Sequence, residues 1–192
     1  MKQIPFTQEF LNSILEYDPE TGVLIWKERP RTMFTSDGQM SRWNKRCAGH
    51  VAGTITKAGK GDPHWVITIL DKQYFAHRII IAMVTGKCDV AQVDHEDGDG
   101  INNRWKNIRP ADAEINSKNR KLPANNSSGI LGVRFIGVTG RWMAVGKRSR
   151  SLGTFATKEE AGAVRKAWEA QNGYHPNHGR ASRAAVVDHP ER

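Results

Sequence analysis

The stretch Leu122-Pro123-Ala124-Asn125-Asn126-Ser127-Ser128 constrains the fold most, because its Pro, Asn and Ser content and near absence of apolar side chains is the composition of a linker. A domain boundary placed at 122–128 divides the 192 residues into a segment 1–121 and a segment 129–174, with a tail at 175–192. The chain is then two small units rather than one large one.

Before the boundary, Phe10, Leu11, Ile14 and Leu15 recur at helical spacing until Asp18-Pro19-Glu20-Thr21-Gly22 breaks the pattern. Strands are expected at Val23–Lys27, Val51–Thr56, His64–Leu70 and Gln73–Ala76, which together read as one small antiparallel sheet. Arg29–Arg46 shows no clear periodicity and reads as a loop. His77–Gly86, with Ile79, Ile80, Ala82 and Met83, reads as a buried helix stopped by Gly86. A short strand Val90–Val93 then runs into Asp94-His95 and a polar loop, Asn107-Ile108-Arg109 returns as a second short strand, and Asp112 caps a helix expected from Ala113 to about Lys121. His77-Arg78, at the start of the His77–Gly86 helix, is read equally as a family feature or as a helix-capping or surface pair, and no chemistry is assigned to it.

After the boundary, Gly132–Phe135, Arg141–Gly146 and Ser151–Phe155 are three strands separated by glycine-containing turns. Thr157-Lys158-Glu159-Glu160 is a capping box, and Ala161, Val164, Ala167 and Trp168 form the apolar stripe of a helix that packs across them. The tail after Gly173 is expected to be poorly ordered. The fold class is α+β.

Net charge is +9 with a sequence pI near 9.8, which favours an anionic partner, nucleic acid above all. Ile115–Lys158 contains no Asp or Glu but nine basic residues, Lys118, Arg120, Lys121, Arg134, Arg141, Lys147, Arg148, Arg150 and Lys158. The other 20 basic residues balance the 20 acidic ones, so this stretch supplies the whole excess and is the candidate phosphate-binding surface. No apolar run approaches the roughly 20 residues of a membrane span, and the first residues lack a secretory signal, so no membrane partner and a cytoplasmic location are expected. Cys47 and Cys88 lie far apart and form neither a disulfide framework nor a cysteine zinc site.

Hydrolysis of a phosphodiester needs an activated water, charge stabilisation on the phosphate and help for the leaving oxygen. A neutral His95 suits the first task, and Asp94 beside it can hold a divalent metal for the other two, with the Asn116 carbonyl oxygen completing the protein ligands. Such oxygen ligation suits magnesium or manganese better than zinc. No small-molecule cofactor is implied.

Val93-Asp94-His95-Glu96-Asp97-Gly98-Asp99, then Asn102-Asn103-Arg104-Trp105-Lys106-Asn107-Ile108-Arg109, then Glu114-Ile115-Asn116 resemble the His-Asn-His (HNH) nucleases, in particular the phage and intron-encoded homing branch. The resemblance implies a ββα-metal core behind an N-terminal antiparallel sheet, with His95 as general base, Asp94 and Asn116 as metal ligands, and Asn107 as the asparagine that ties the loop. It also implies a metal-dependent endonuclease on double-stranded DNA. The alternatives are a DNA-binding regulator with an inactive nuclease centre, and a nuclease acting on RNA or without sequence preference. Asn119 and Arg120 follow Asn116 at helical spacing and are expected on its face, touching phosphate or solvent.

Gly132-Val133-Arg134, Arg141-Trp142-Met143-Ala144, Leu152-Gly153-Thr154-Phe155 and Glu159-Glu160-Ala161 resemble the APETALA-type, or ethylene-response-factor, DNA-binding domain, a three-stranded sheet backed by one helix. By position Arg134 and Lys147 are the implied DNA contacts and Arg141 a weaker one. Trp142 is either a DNA contact or sheet core. Ile136 and Ser151 depart from the plant pattern, so plant-type sequence recognition does not carry over. Lys118, Arg120 and Lys121 complete the expected DNA-binding set.

Overall fold

A computed structural model describes residues 4–57 and 62–181. They fall into two compact units divided between Ile115 and Asn116. Residues 182–192, the end of the expected tail, lie outside the described part.

The first unit begins with helix α1 (Gln8–Ile14), whose first turn is capped by the Thr7 hydroxyl accepting from the Phe10 N–H. It leads into a two-stranded antiparallel ribbon, β1 (Leu15–Tyr17) with β2 (Leu24–Trp26). Helix α2 (Asp37–Cys47) follows, and then a separate antiparallel sheet in the order β3 (Thr54–Lys57), β4 (Pro63–Ile69), β5 (Lys72–Phe75). The single sheet expected from the sequence is therefore two, with the segment ahead of β3 lying along β2 through the Ile25–Val51 bridge and the hydrogen bonds of Trp26 with Gly49 and His50 and of Leu24 with Ala52. Helix α3 (Ala76–Thr85) is buried at every position from Ala76 to Met83, so it is the centre of the unit rather than a surface helix. Gly86 stops it with φ +72°, and its N–H closes on the Ala82 carbonyl. Leu11, Ile14, Leu15, Leu24, Ile67, Ile69 and Ile79–Ile81 make the core around it, each contributing about 1.5–3 kcal/mol by leaving water. The unit ends in an antiparallel pair, β6 (Gln92–His95) with β7 (Ile108–Ala111), and in helix α4 (Ala113–Lys118), which crosses the division between units.

The Arg29–Arg46 region corrects the sequence reading, because most of what was expected as loop is α2. Ser36 caps it by accepting from the Gln39 N–H. Its inner face is Met40, Trp43, Asn44 and Cys47, all half-buried. Such a mixed face leaves no apolar stripe for periodicity to find.

In the second unit β8 (Val133–Ile136), β9 (Arg141–Val145) and β10 (Ser151–Phe155) form an antiparallel sheet with β9 central and a bulge between Ser151 and Gly153. Helix α5 (Lys158–Gln171) packs on it, started by the capping box of Thr157 and Glu160. Val133, Ala144 and Ala161 are the buried apolar residues of this core among those described. The buried stripe of α5 differs from the expected one: it runs Ala161, Arg165, Glu169, while Ala167 is exposed. Arg165 donates to the Glu169 carboxylate at 2.8 Å and to the Val145 carbonyl at 2.5 Å, Lys166 meets Glu169 at 3.1 Å, and His178, 3% exposed, lies 3.7 Å from it. Hydrogen bonding of this kind is what allows charge inside a small core.

The segments read as linker and tail also belong to this unit. The Leu122 N–H donates to the Arg180 carbonyl, and the buried Ser128 hydroxyl bonds Asn126 and the Ile130 carbonyl. Residues 174–181, expected to be poorly ordered, fold back with the Gly179 N–H on the Arg120 carbonyl and the His175 N–H on the Lys118 carbonyl. Polar composition marked turns here, and the turn residues spend their side chains on local backbone groups. Among the described residues no helix is long and apolar enough to cross a membrane.

Candidate active site

Asp94 and His95 end β6, buried to 9% and 7% exposure. Successive residues of a strand face opposite ways, so the two acquire different partners. Asp94 sits across the ladder from Arg109, whose guanidinium donates to Oδ2 at 2.8 and 3.2 Å and also reaches Glu96 at 3.0 Å. This fork fixes the Asp94 carboxylate.

The His95 Nε2 lies 3.2 Å from Oδ1 of Asn103, itself 3% exposed. The Asn103 amide nitrogen donates to the Ile101 carbonyl, so Oδ1 is the atom turned to histidine and accepts from Nε2–H. That tautomer puts the basic lone pair on Nδ1. The Asn103 backbone is held in turn: its carbonyl accepts the Tyr17 hydroxyl at 2.8 Å. Burial, with Asp18 and Glu20 nearby, pushes the Tyr17 phenol up to about 12, which keeps it a donor.

Asn107 ties the loop between the strands. Its Oδ1 accepts from the Asp97 N–H at 3.0 Å, its amide nitrogen donates to Asp97 Oδ1 at 2.9 Å and to the Asn102 carbonyl at 2.7 Å, and its own carbonyl accepts from the Glu96 N–H. Four bonds from one residue hold both ends of the loop. Burial disfavours the Asp97 carboxylate, but the Asp99 N–H, the amides of Asn102 and Asn107 and the nearby His95 outweigh it and hold its pKa below the usual range.

A turn from the β1–β2 ribbon covers this loop. The Trp105 N–H donates to the Pro19 carbonyl and Arg104 Nε to the Glu20 carbonyl. Gly22, at φ +79°, comes so close that a Cβ there would stand 2.5 Å from backbone atoms of Asn103 and Arg104, so no other residue fits.

His77 and Arg78 are neither caps nor surface groups. Arg78 is 6% exposed and donates to the Val90 and Ala91 carbonyls, fixing the approach to β6. The His77 ring stands edge-on to His95 at 5.0 Å and stacks on Phe75 at 5.3 Å, and His64 completes the group 5.8 Å from His77 and 6.4 Å from His95. Burial, and then His95, His64 and Arg78, depress the His77 pKa well below the free value, so it is neutral. The sequence reading passed over Asn103, Arg109 and His64. Pairing the two strands in register brings Arg109 opposite Asp94, but His64 arrives from β4, which no local pattern reveals.

Asn116 is half-buried in α4 and is the first residue of the second unit. In that unit α4 stops at Lys118, short of the expected Lys121. Asn119 is buried, and its backbone and side-chain oxygens accept from Arg180, so it does not lie on an open helical face. Lys118 and Lys121 are half-buried, and Arg120 is exposed. Arg134 and Arg141 are exposed, on strands β8 and β9, and Lys147 is exposed in the turn after β9. Trp142 packs with Phe135 and the Val133–Ala144–Ala161 cluster, which favours sheet core over DNA contact.

Among the described residues no group of three or more His, Cys, Asp or Glu side chains is placed to hold a metal ion. The polar atoms brought together in the first unit are a fixed carboxylate, a buried imidazole of defined tautomer and a loop clamped at both ends. That set can orient a water against a phosphate. No curated protein and no solved structure matches the chain. Residues 74–118, which run from β5 through α3 and the clamped loop into α4, match the family model described as HNH endonuclease, which supports a nuclease acting on DNA.

Proposed function

We propose that the chain is a metal-dependent endonuclease that hydrolyses phosphodiester bonds in double-stranded DNA, of the homing kind carried by phages and mobile elements. The observation that carries this is the His95–Asn103 hydrogen bond inside a loop clamped by Asn107. His95 takes a proton from water at Nδ1 while Asn103 holds Nε2–H. The neighbouring His77 adds no positive charge of its own, since burial keeps it neutral. Asn103 and Asn107 act through orientation: an imidazole fixed in place loses no further freedom at the moment of attack.

A divalent ion fits the chemistry of this donor set only as a hard cation. Asp94 is the carboxylate at hand, Asn116 is the second ligand that the sequence pattern suggests, and water and phosphate would complete the shell, as magnesium or manganese accept and structural zinc does not. When bound, the ion supplies charge stabilisation on the phosphate and leaving oxygen. Arg109 holds Asp94 in orientation. Substrate is held by Lys118, Arg120 and Lys121 and by the basic residues of the sheet unit, Arg134, Arg141 and Lys147, which supply phosphate contacts.

His95→Ala is expected to lower plasmid cleavage by roughly 10²–10⁴-fold, with DNA retention in a gel-shift assay nearly intact. Full cleavage by that variant would remove the assignment. Wild-type protein that binds DNA but cleaves neither DNA nor RNA with any divalent ion would instead be a regulator with a silent centre.

A further inference from the structure

Helix α2 buries no residue completely, yet it is mounted rigidly. The Asn44 side chain accepts from the Arg29 N–H at 3.0 Å and donates to the Arg29 carbonyl at 3.1 Å. The Arg29 guanidinium lies against two indoles that meet edge-on, 4.5 Å from Trp26 and 3.9 Å from Trp43. At the end of the helix the Gly49 N–H returns to the Trp26 carbonyl. What this mounting fixes in space is the opposite face, where Gly38, Ser41, Arg42, Lys45 and Arg46 are exposed at helical spacing.

The charge of that face stands out from its surroundings. Residues 1–115 carry fifteen basic and fifteen acidic side chains, but 27–46 carry six basic against two acidic, and Asp37 of those two is paired with Arg31. Lys45 and Arg46 make no ion pair or hydrogen bond, and Arg42 bonds only the Gly38 carbonyl of its own helix, among the described residues. A solubilising surface mixes signs, and this one does not.

Its position relates it to the site. α2 is fixed to the Trp26 end of the β1–β2 ribbon, and the turn at the other end bonds the active-site loop through Tyr17, Pro19 and Glu20. Three residue pairs of ribbon span roughly 10 Å, well within the roughly 34 Å turn of a duplex. We propose that Arg42, Lys45 and Arg46 on the exposed face of α2 bind the phosphate backbone of the duplex beside the point of cleavage. The inference rests on the nuclease reading for its substrate and adds to it a second anchoring surface, distinct from the basic sheet unit.

The test is DNA binding by the full chain in buffer with a chelator, so that affinity is read without chemistry. The probe is a labelled duplex of about three helical turns in a fluorescence-anisotropy titration at several salt concentrations. Arg42→Gln/Lys45→Gln/Arg46→Gln is expected to weaken binding roughly tenfold or more at physiological salt and to reduce the salt slope by about one per lost contact. Arg42→Lys/Arg46→Lys keeps the charge and is expected to keep both. An unchanged Kd and slope in the triple variant would overturn the proposal, as would weakening by the lysine variant equal to that of the glutamines. Loss of binding in the triple variant beside a wild type that never cleaves would sink the nuclease reading and leave this surface standing; unchanged binding beside normal cleavage would do the reverse.

Discussion

The two units solve the problem of a small interior in opposite ways. The first surrounds α3, buried from Ala76 to Met83, with aliphatic side chains and gathers its buried polar groups around one clamped loop and the strand and helix beside it. The second, among the described residues, fully buries only Val133, Ala144 and Ala161 as apolar side chains and fills the rest of its core with partly buried ones and with the Arg165–Glu169–His178 network. Apolar burial is non-directional and forgiving, whereas a buried charge is tolerable only while its partner stands. The lesson is that the chemical unit is built to hold geometry while its charges balance, and that the sheet unit, with the whole excess of positive charge, depends on a few internal ion pairs.

The largest expected effect breaks this comparison at its sharpest point. Glu169→Ala leaves Arg165 buried without its carboxylate and is expected to destabilise the second unit by roughly 3–5 kcal/mol. Calorimetry should show a second-unit transition moving down while the first stays in place. If both move together, the units are one cooperative body and the contrast drawn here fails. In the other direction, Ile80→Ala removes a side chain with no solvent exposure and is expected to cost the first unit about 2–5 kcal/mol, with exchange protection of the β8–β10 amides unchanged. Faster exchange in those strands would refute the independence.

The smallest effect is one of pH. Burial lowers the His178 pKa from 6.5 to about 4, against the pull of Glu169, with Arg165, Lys166 and Arg120 adding to the shift. The unfolded chain therefore takes up the proton first. Stability of the second unit is complete above about pH 6.5 and declines as pH falls toward about 4. His178→Gln should flatten that decline in the melting temperature of the second transition. A variant whose acid sensitivity equals that of the wild type would place the titrating group elsewhere.

Several features could be seen without coordinates because they depend on neighbours in the chain. Gly86 ends α3, Thr157 and Glu160 start α5, and the three strands of the second sheet follow their turns. The Asp94-His95 pair and Asn107 flank a single loop, and the bonds of Asn107 to Asp97 and Asn102 span no more than ten residues. Helix α2 was not legible, because what holds it is a guanidinium against two indoles and an amide on a backbone rather than an apolar stripe. Nor was the folding-back of residues 174–181, whose anchor points on Lys118, Arg120 and Leu122 lie far upstream.

The sequence by itself determined the local chemistry: which segment carries the carboxylate and imidazole, which asparagine closes the loop, and where the positive charge collects, although the strand expected at Val90–Val93 is found at Gln92–His95 and takes in Asp94 and His95. Only the tertiary structure decided what surrounds them. His77 and His64 reach His95 from α3 and β4, Tyr17 and Gly22 brace the loop from the β1–β2 ribbon, and half-buried Trp142 packs against the Val133–Ala144–Ala161 cluster. The physical reason is range: capping, turn chemistry and strand alternation act over a few residues, while burial and ring packing are set by whichever distant segments the fold brings together.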